Sequence, residues 1–366
     1  MPVVDTKISL LPNASALASG HFVPVSQGSD TKKATVAQFR SLFGPDGAGN
    51  LVIGAPLAAL TTGQSNTVAG DGAGAALTTG YFNALYGDAA GSLLTKGFQN
   101  TALGHNALQK STGDPGGGAG TTSTNNTAIG ANAGQQLTSG HRNTAVGVDA
   151  LFVETTGIYN VGVGVHALNS QVGVSESTAV GTFALFTNVT GTQNTALGFQ
   201  ALYYGTAGGN TALGHLAAQL LTTGYNNVAI GPSAAAYPRF ASANATTTGW
   251  DQVSIGAYSG QANATQVNDT VALGFYAVYG AVGATALGAN AEALHSQSVA
   301  LGQGVITTAA SQVALSTRHI EMVEISDPAA GAANSARLYA KDNGSGKTQL
   351  VVRFASGAVQ VIATEP

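Results

Sequence analysis

The sequence predicts an all-β protein built around a parallel β-roll, or β-solenoid, of about fifteen short coils. A motif of five residues that ends in glycine recurs along the chain, as in Asn-Thr-Ala-Leu-Gly at residues 100–104 and 194–198. Most repeat glycines lie 16 or 17 residues apart, a period that suits two short strands and two turns better than a strand and a helix. Residues before each glycine alternate in size and polarity, which indicates a strand.

The repeat extends over residues 50–315, which we expect to form one shaft. The period is interrupted between Gly104 and Gly130 and between Gly231 and Gly256, and the last two intervals are 14 residues long. The repeat glycines are Gly54, Gly70, Gly87, Gly104, Gly130, Gly147, Gly164, Gly181, Gly198, Gly214, Gly231, Gly256, Gly274, Gly288 and Gly302.

Two further positions recur within the coil. A second glycine stands seven residues before the repeat glycine, as at Gly80 and Gly140, where we expect a positive φ and a sharp corner. Asn stands four residues before the repeat glycine in most coils, as at Asn66 and Asn83. Stacked coils would place these asparagines in one column, with side-chain amides hydrogen-bonded along the axis.

Composition limits the classes of function. Charged residues make up 8% of the chain and the formal net charge is −4, so no basic surface for nucleic acid is expected. The chain has no Cys, which excludes disulfides and thiolate chemistry. It lacks an apolar run of about 18 residues and the basic and apolar regions of a signal peptide. We expect no nucleic-acid partner, no membrane insertion and no secretion by a signal peptide.

Residues 1–49 precede the repeat and are expected to form a small α+β module. Residues 22–25 alternate like a short strand, and a turn follows them. Thr35 and Gln38 have the spacing of a capping box, which predicts a helix that passes Phe39.

This module carries a resemblance. Phe-Val-Pro-Val at residues 22–25 and Thr-Lys-Lys-Ala-Thr-Val-Ala-Gln at residues 31–38 resemble the N-terminal segment of many tailed-bacteriophage fibre and virion proteins. The resemblance implies a module that joins a fibre to the particle. The candidate docking residues are Phe22, Val25, Lys32, Lys33 and Phe39; for the two lysines we favour the alternative of a solvated surface.

The shaft carries a second resemblance. Val-Ala-Leu-Gly at residues 299–302 and Ala-Leu-Gly at residues 286–288 end coils of 14 residues. These coils resemble the head repeats of trimeric autotransporter adhesins, which build a left-handed parallel β-roll, and the longer coils also resemble repeats of phage fibres. The resemblance implies a homotrimer, with three rolls intertwined or side by side. Burial of a thin roll against its neighbours would add apolar contact.

Residues 316–366 differ from the shaft and are expected to form a β-meander. Strands are predicted over residues 335–341, 348–355 and 358–363, joined by turns rich in Gly, Ser and Asn. Residues 336–354 resemble a C-terminal segment common in phage virion proteins, which implies a trimerising tip or foot.

Two insertions interrupt the period, and insertions in solenoids form surface loops that often bind. Residues 110–125 are rich in Gly, Thr and Ser, which favours a flexible loop. Residues 237–251 carry Tyr237, Phe240 and the only tryptophan, Trp250, our candidates for contact with a receptor such as a surface sugar. The alternative is that these rings pack the loop against its own roll or a neighbouring protomer.

Groups for catalysis or metal binding are sparse. Asp251 and Asp269 lie one coil apart and are the best pair for cleavage of a polysaccharide, but nothing else in the sequence supports catalysis. His105, His166 and His215 follow repeat glycines closely, and a trimer would bring three copies of one histidine to its axis. Packed or surface histidines are the favoured interpretation. We predict no catalytic residue, no metal and no cofactor.

These features predict a homotrimeric structural fibre or spike of a tailed-phage virion. Its N-terminus would bind tail or capsid proteins, with the tail favoured, and its shaft would present a surface to a glycan or protein of a bacterial host. The alternatives are a capsid-decorating head fibre, a bacterial trimeric autotransporter-like adhesin and a polysaccharide depolymerase tailspike.

Overall fold

The structure is a computed structural model that describes residues 22–27, 30–35, 48–53, 62–112, 124–236, 249–260, 267–315, 336–354, 356 and 358–364. Every regular element in these ranges is a β-strand, which confirms the predicted all-β class. The helix predicted to pass Phe39 lies outside the described residues. The chain divides into two units, residues 1–315 and residues 316–366.

Sixteen parallel strands form one sheet along the shaft and confirm the predicted solenoid. Neighbouring strands pair in register, with Thr178 opposite Thr195 and Val180 opposite Leu197. Fifteen steps of about 4.8 Å give a sheet about 70 Å long. The strands are β3 (Leu51–Ile53), β4 (Thr67–Ala69), β5 (Ala84–Tyr86), β6 (Thr101–Leu103), β7 (Thr127–Ile129), β8 (Thr144–Val146), β9 (Val161–Val163), β10 (Thr178–Val180), β11 (Thr195–Leu197), β12 (Thr211–Leu213), β13 (Val228–Ile230), β14 (Val253–Ile255), β15 (Val271–Leu273), β17 (Thr285–Leu287), β19 (Val299–Leu301) and β20 (Val313–Leu315). A repeat glycine follows each of them except β20.

The expectation of two strands in every coil is wrong for most of the shaft. Among the described residues, a second pair of parallel strands occurs only in the 14-residue coils, where β16 (Val278–Tyr279) pairs with β18 (Glu292–Ala293). In longer coils the same part of the chain is a turn, because the fourth residue after the repeat glycine has positive φ, as Leu108 does (51°). The second residue has positive φ in both kinds of coil, as at Asn106 (57°) and Asn290 (56°). Residues with positive φ cannot continue an extended strand.

The two recurring glycines serve different purposes. Gly104, a repeat glycine, has φ +140°, and a Cβ there would lie 2.5 Å from the carbonyl oxygen of Gly130 in the next coil. Gly80, seven residues before its repeat glycine, lies outside the positive-φ region, so our prediction of a corner made by positive φ is wrong. A Cβ at Gly80 would lie 2.5 Å from the carbonyl oxygen of Gly97. Close stacking of coils therefore excludes a side chain at Gly80.

Most of the longer coils hold one leucine in their interior, supplied from either of two positions. In some coils the fourth residue after the repeat glycine is Gly and the seventh is Leu, as at Gly74 and Leu77. In others the fourth residue is Leu and the seventh is small or polar, as at Leu202 and Gly205. The interior leucines at these two positions are Leu77, Leu94, Leu108, Leu137, Leu151, Leu168, Leu185, Leu202 and Leu221, all almost fully buried.

The predicted asparagine column lies in the interior beside these leucines. Asn66 Oδ1 accepts hydrogen bonds from the backbone N–H of Asn83 (3.0 Å) and from its side-chain Nδ2 (2.9 Å). Asn83 Oδ1 accepts the same pair from Asn100. The buried members are Asn50, Asn66, Asn83, Asn100, Asn126, Asn143, Asn160, Asn194, Asn210 and Asn227. The column satisfies backbone groups that water cannot reach.

Two antiparallel sheets lie outside the shaft. Near the N-terminus, β1 (Phe22–Gln27) and β2 (Asp30–Thr35) form a hairpin. In the second unit, β21 (Ala336–Asp342), β22 (Thr348–Phe354) and β23 (Val359–Thr364) form a three-stranded sheet in chain order. The C-terminal meander is thus confirmed.

Candidate functional site

The outer face of the long sheet carries a column of apolar side chains, which we call the sheet stripe. The middle residue of each strand is generally small and buried, as Ala196 and Ala212 are, whereas the third residue is large and partly exposed, as Leu197 and Leu213 are. The most exposed members are Ile53, Tyr86, Leu103, Ile129, Leu197, Leu213, Ile255, Leu273, Leu301 and Leu315. A contiguous apolar surface of this length is typical of an interaction surface.

The predicted docking residues fall partly within the described chain. In the β1–β2 hairpin, Val25 pairs with Lys32, and Lys33 pairs with Pro24. Phe22 pairs with Thr35 at the open end of the same hairpin. Phe39 lies outside the described residues. The hairpin therefore brings four of the five docking candidates onto one pair of strands.

Trp250 belongs to the coil that follows the second insertion. Its ring stacks on Tyr225 of the preceding coil, with centroids 5.4 Å apart and planes 16° from parallel. Its backbone N–H donates to Asn268 Oδ1 at 3.2 Å. Trp250 is thus packed on its own shaft, while Tyr237 and Phe240, the other two receptor candidates, lie outside the described residues.

Asp251 and Asp269 occupy the same position in adjacent coils. The backbone N–H of Asp251 donates to the carbonyl of Tyr225, and that of Asp269 donates to the carbonyl of Trp250. Both aspartates are exposed, with one coil step of about 4.8 Å between their backbones. This step is close to the carboxyl separation of retaining glycosidases, but the exposure of both aspartates differs from the enclosed apolar pocket that holds the general acid.

The three histidines that follow repeat glycines have different surroundings. His105 Nε2 lies 3.5 Å from Asp88 Oδ2, and His166 Nδ1 lies 3.6 Å from Asp149 Oδ2. His215 stacks on Phe199. Within the part of the chain that the structure describes, no three His, Asp or Glu side chains gather as a metal site would require.

Seven rings on four adjacent coils form a partly exposed cluster that sequence reasoning missed, here named the aromatic patch. His166 stacks on Phe183 (5.1 Å), Phe199 stacks on His215 (5.5 Å) and Phe186 stacks on Tyr203 (5.1 Å). Edge contacts join the stacks: Phe183 meets both Phe186 and Phe199, and Tyr203 meets Tyr204. The patch consists of His166, Phe183, Phe186, Phe199, Tyr203, Tyr204 and His215.

The signal for this patch was present in the repeat. Its rings stand at the first, second, fifth and sixth positions after Gly164, Gly181, Gly198 and Gly214. An alignment of the coils shows these rings in four successive coils and other rings at the same positions elsewhere, as at Phe152, Tyr258 and Phe275. Only the contacts between coils show that the seven patch rings lie together.

Two tyrosines differ in their electrostatic surroundings. Partial burial raises the pKa of Tyr203 in the patch, and the neighbouring Tyr204 adds to the effect. Complete burial raises the pKa of Tyr279 to about 12. The hydroxyl of Tyr279 donates to Gln252 Oε1 at 2.8 Å inside the shaft, so this ring is a structural element and not a surface group.

None of the described residues forms a helix long and apolar enough to cross a membrane. No protein-family model matches the chain, and a search of curated proteins found no match.

Proposed function

We propose that the chain is a structural fibre or spike protein of a tailed-phage virion that assembles as a homotrimer and supports attachment to the bacterial host. The observation that carries the proposal is the sheet stripe, which runs along a shaft about 70 Å long. A stripe of this length needs a cover, and copies of the same shaft match it coil by coil.

Trimerisation would give the stripe that cover. Three shafts about one axis would turn their stripes inward and leave the other sides of each coil exposed. The exposed apolar side chains of the stripe would then become a shared core, stabilised at about 25 cal/mol per Å² of apolar surface buried.

Multivalent binding would strengthen attachment to the host. Three equivalent surfaces per trimer and several trimers per particle would multiply weak contacts with a host glycan or protein. The N-terminal hairpin, with its resemblance to virion-docking segments, would hold the fibre on the particle. The protein would act by binding, without a metal, a cofactor or a chemical step.

Labelling of virions tests this proposal. We expect an antibody against residues 50–315 to place gold at the phage tail. Gold over the capsid would make the protein a head fibre. Gold on bacterial surfaces and on no particle would contradict the phage proposal and favour the adhesin.

The pair of exposed aspartates gives one specific reason to test whether the protein is a polysaccharide depolymerase. Asp251 and Asp269 stand in adjacent coils, beside the stacked rings of Tyr225 and Trp250. Release of reducing sugar from host polysaccharide, lost in Asp251→Asn, would replace the binding role with an enzymatic one.

A further inference from the structure

The repeat does not require the aromatic patch, although single rings or pairs of rings stand at the same positions in other coils, as at Phe152, Tyr258 and Phe275. Two coils upstream, the second and fifth positions are Asn132 and Gln135, and near the start of the shaft they are Gly72 and Ala75. Those coils adopt the same turn without aromatic rings. The rings are therefore not needed to build a coil, which points to a role in binding.

The small number of charged residues around the aromatic patch indicates the class of ligand that it would bind. Residues 165–170, 182–187, 199–204 and 215–220 contain no Lys, Arg, Asp or Glu. Most polar groups beside the rings are neutral amides, with Gln219 Nε2 donating to Gln200 Oε1 at 2.7 Å. One carboxylate, Asp149, lies at the upstream end of the patch, with its Oδ2 3.6 Å from His166 Nδ1. A surface with a single carboxylate at its edge, otherwise rimmed by amides, complements an uncharged ligand rich in hydroxyl groups.

The rings are held ready for such a ligand. Phe199 and Tyr204 are both exposed, at 43% each. Phe199 is fixed by contacts with Phe183 and His215, and Tyr204 by its contact with Tyr203. Aromatic side chains that are already ordered lose little entropy on binding. Their electron-rich faces attract the polarised C–H groups of a sugar ring.

A second copy of this chain is a poorer fit to the patch. The sheet stripe runs along the long sheet from β3 to β20, interrupted by the small Ala69 of β4, whereas the patch covers four coils. The stripe and the patch also lie on successive segments of the coil, before and after the repeat glycine.

We propose that the aromatic patch binds a neutral polysaccharide of the host surface, with the sugar chain lying along the shaft across the four coils. This inference rests on the proposed attachment function and names the chemistry of its receptor. The coil repeat of about 4.8 Å gives the patch a periodic array of rings, which suits a ligand that is itself a regular polymer.

Affinity electrophoresis of the full-length protein through gels that contain dextran, mannan or galactan tests the proposal. We expect at least one of these neutral polysaccharides to retard the protein and the acidic polysaccharide hyaluronate to leave its mobility unchanged. The variant Phe199→Ala/Tyr204→Ala should bind at least tenfold more weakly. Phe82→Ala, which removes a 62% exposed ring far from the patch, is the matched control.

Three results would overturn the inference: no retardation by any of the three neutral polysaccharides, equal retardation by hyaluronate, or equal weakening in Phe82→Ala. Thermal unfolding of each variant shows whether a loss of binding comes from the patch or from the fold. If gold labels virions but no neutral polysaccharide binds, this inference alone fails. If a polysaccharide binds through the patch but no virion is labelled, the fibre proposal fails.

Discussion

Leu202 and Gly205 share one place in the interior of a coil. A Cβ at Gly205 would lie 3.3 Å from Leu202 Cδ2 and 3.2 Å from the Leu202 carbonyl oxygen, while Leu202 is fully buried. Leucine from the fourth position and leucine from the seventh position are thus alternative ways to fill the same core. Both arrangements occur among the coils of this shaft, and a coil with an interior leucine at one of the two positions has none at the other.

This relationship predicts that two damaging substitutions compensate each other. Leu202→Gly should destabilise the protein by about 3 kcal/mol through the cavity it leaves, and Gly205→Leu by about 2 kcal/mol through overpacking. The double variant copies the arrangement of Gly74 and Leu77. Chemical unfolding of all four proteins gives the coupling energy, and strictly additive losses would contradict a shared site.

Stacking of coils predicts the cost of a side chain at a repeat glycine. Gly104→Ala adds a methyl group 2.5 Å from the Gly130 carbonyl at φ +140°, and strain with overpacking should cost on the order of 3 kcal/mol. Gly304→Ala is the control, because Gly304 has φ +68° but no heavy atom within 4 Å of a Cβ. It should cost about 1 kcal/mol. Equal shifts in unfolding midpoint would mean that backbone conformation alone matters.

The asparagine column predicts a loss of stability when one of its buried hydrogen-bond acceptors is removed. Asn83→Ala removes the acceptor of the Asn100 backbone N–H, which is buried in the shaft. The loss should be about 2 kcal/mol, since a buried donor remains without its partner. Gln64→Ala, at an exposed position, should change the free energy of unfolding by less than about 0.5 kcal/mol. The two variants are compared by guanidinium unfolding.

Tyr279 predicts a loss of stability at high pH. Its pKa is raised from 10.0 to about 12 in the folded protein, so between these values the folded state keeps a proton that the unfolded state has lost. The stabilisation is fully present below pH 10 and falls by about 1.4 kcal/mol per pH unit between pH 10 and pH 12. Tyr279→Phe should lower stability at neutral pH by about 1 kcal/mol. Its pH profile over that window should be flatter than that of the wild type, and parallel profiles would refute the assignment.

The sheet stripe predicts an assembly defect. The wild-type chain should sediment at three times the 36.2 kDa monomer mass. Leu197→Asp/Leu213→Asp, which places two charges on adjacent strands of the stripe, should sediment as a monomer because buried unpaired charges are costly. Val172→Asp/Val189→Asp, which changes two residues of similar exposure outside the strands of the long sheet, should remain trimeric. A wild-type chain that sediments as a monomer would contradict the trimer proposal.

The repeat itself was predictable from the sequence. Thr, Ala and Leu before each glycine, together with the Asn four residues back, recur at a constant interval. A parallel in-register stack is the arrangement that places like residues on like residues. The interior position of Asn83 and the outward position of Leu213 follow from the same alternation, because they depend only on local periodicity.

Other features were decided by contacts between coils. Gly80 is required by the carbonyl of Gly97 in the next coil and not by its own φ. Trp250 stacks on Tyr225 although an insertion separates them in the chain, and the rings of the aromatic patch come from four different coils. A local repeat specifies which residues stack, but the cross-section of the coil decides which sides they share. That cross-section comes from turns with positive φ at non-glycine residues such as Asn106 and Leu108, which tertiary packing imposes against local preference.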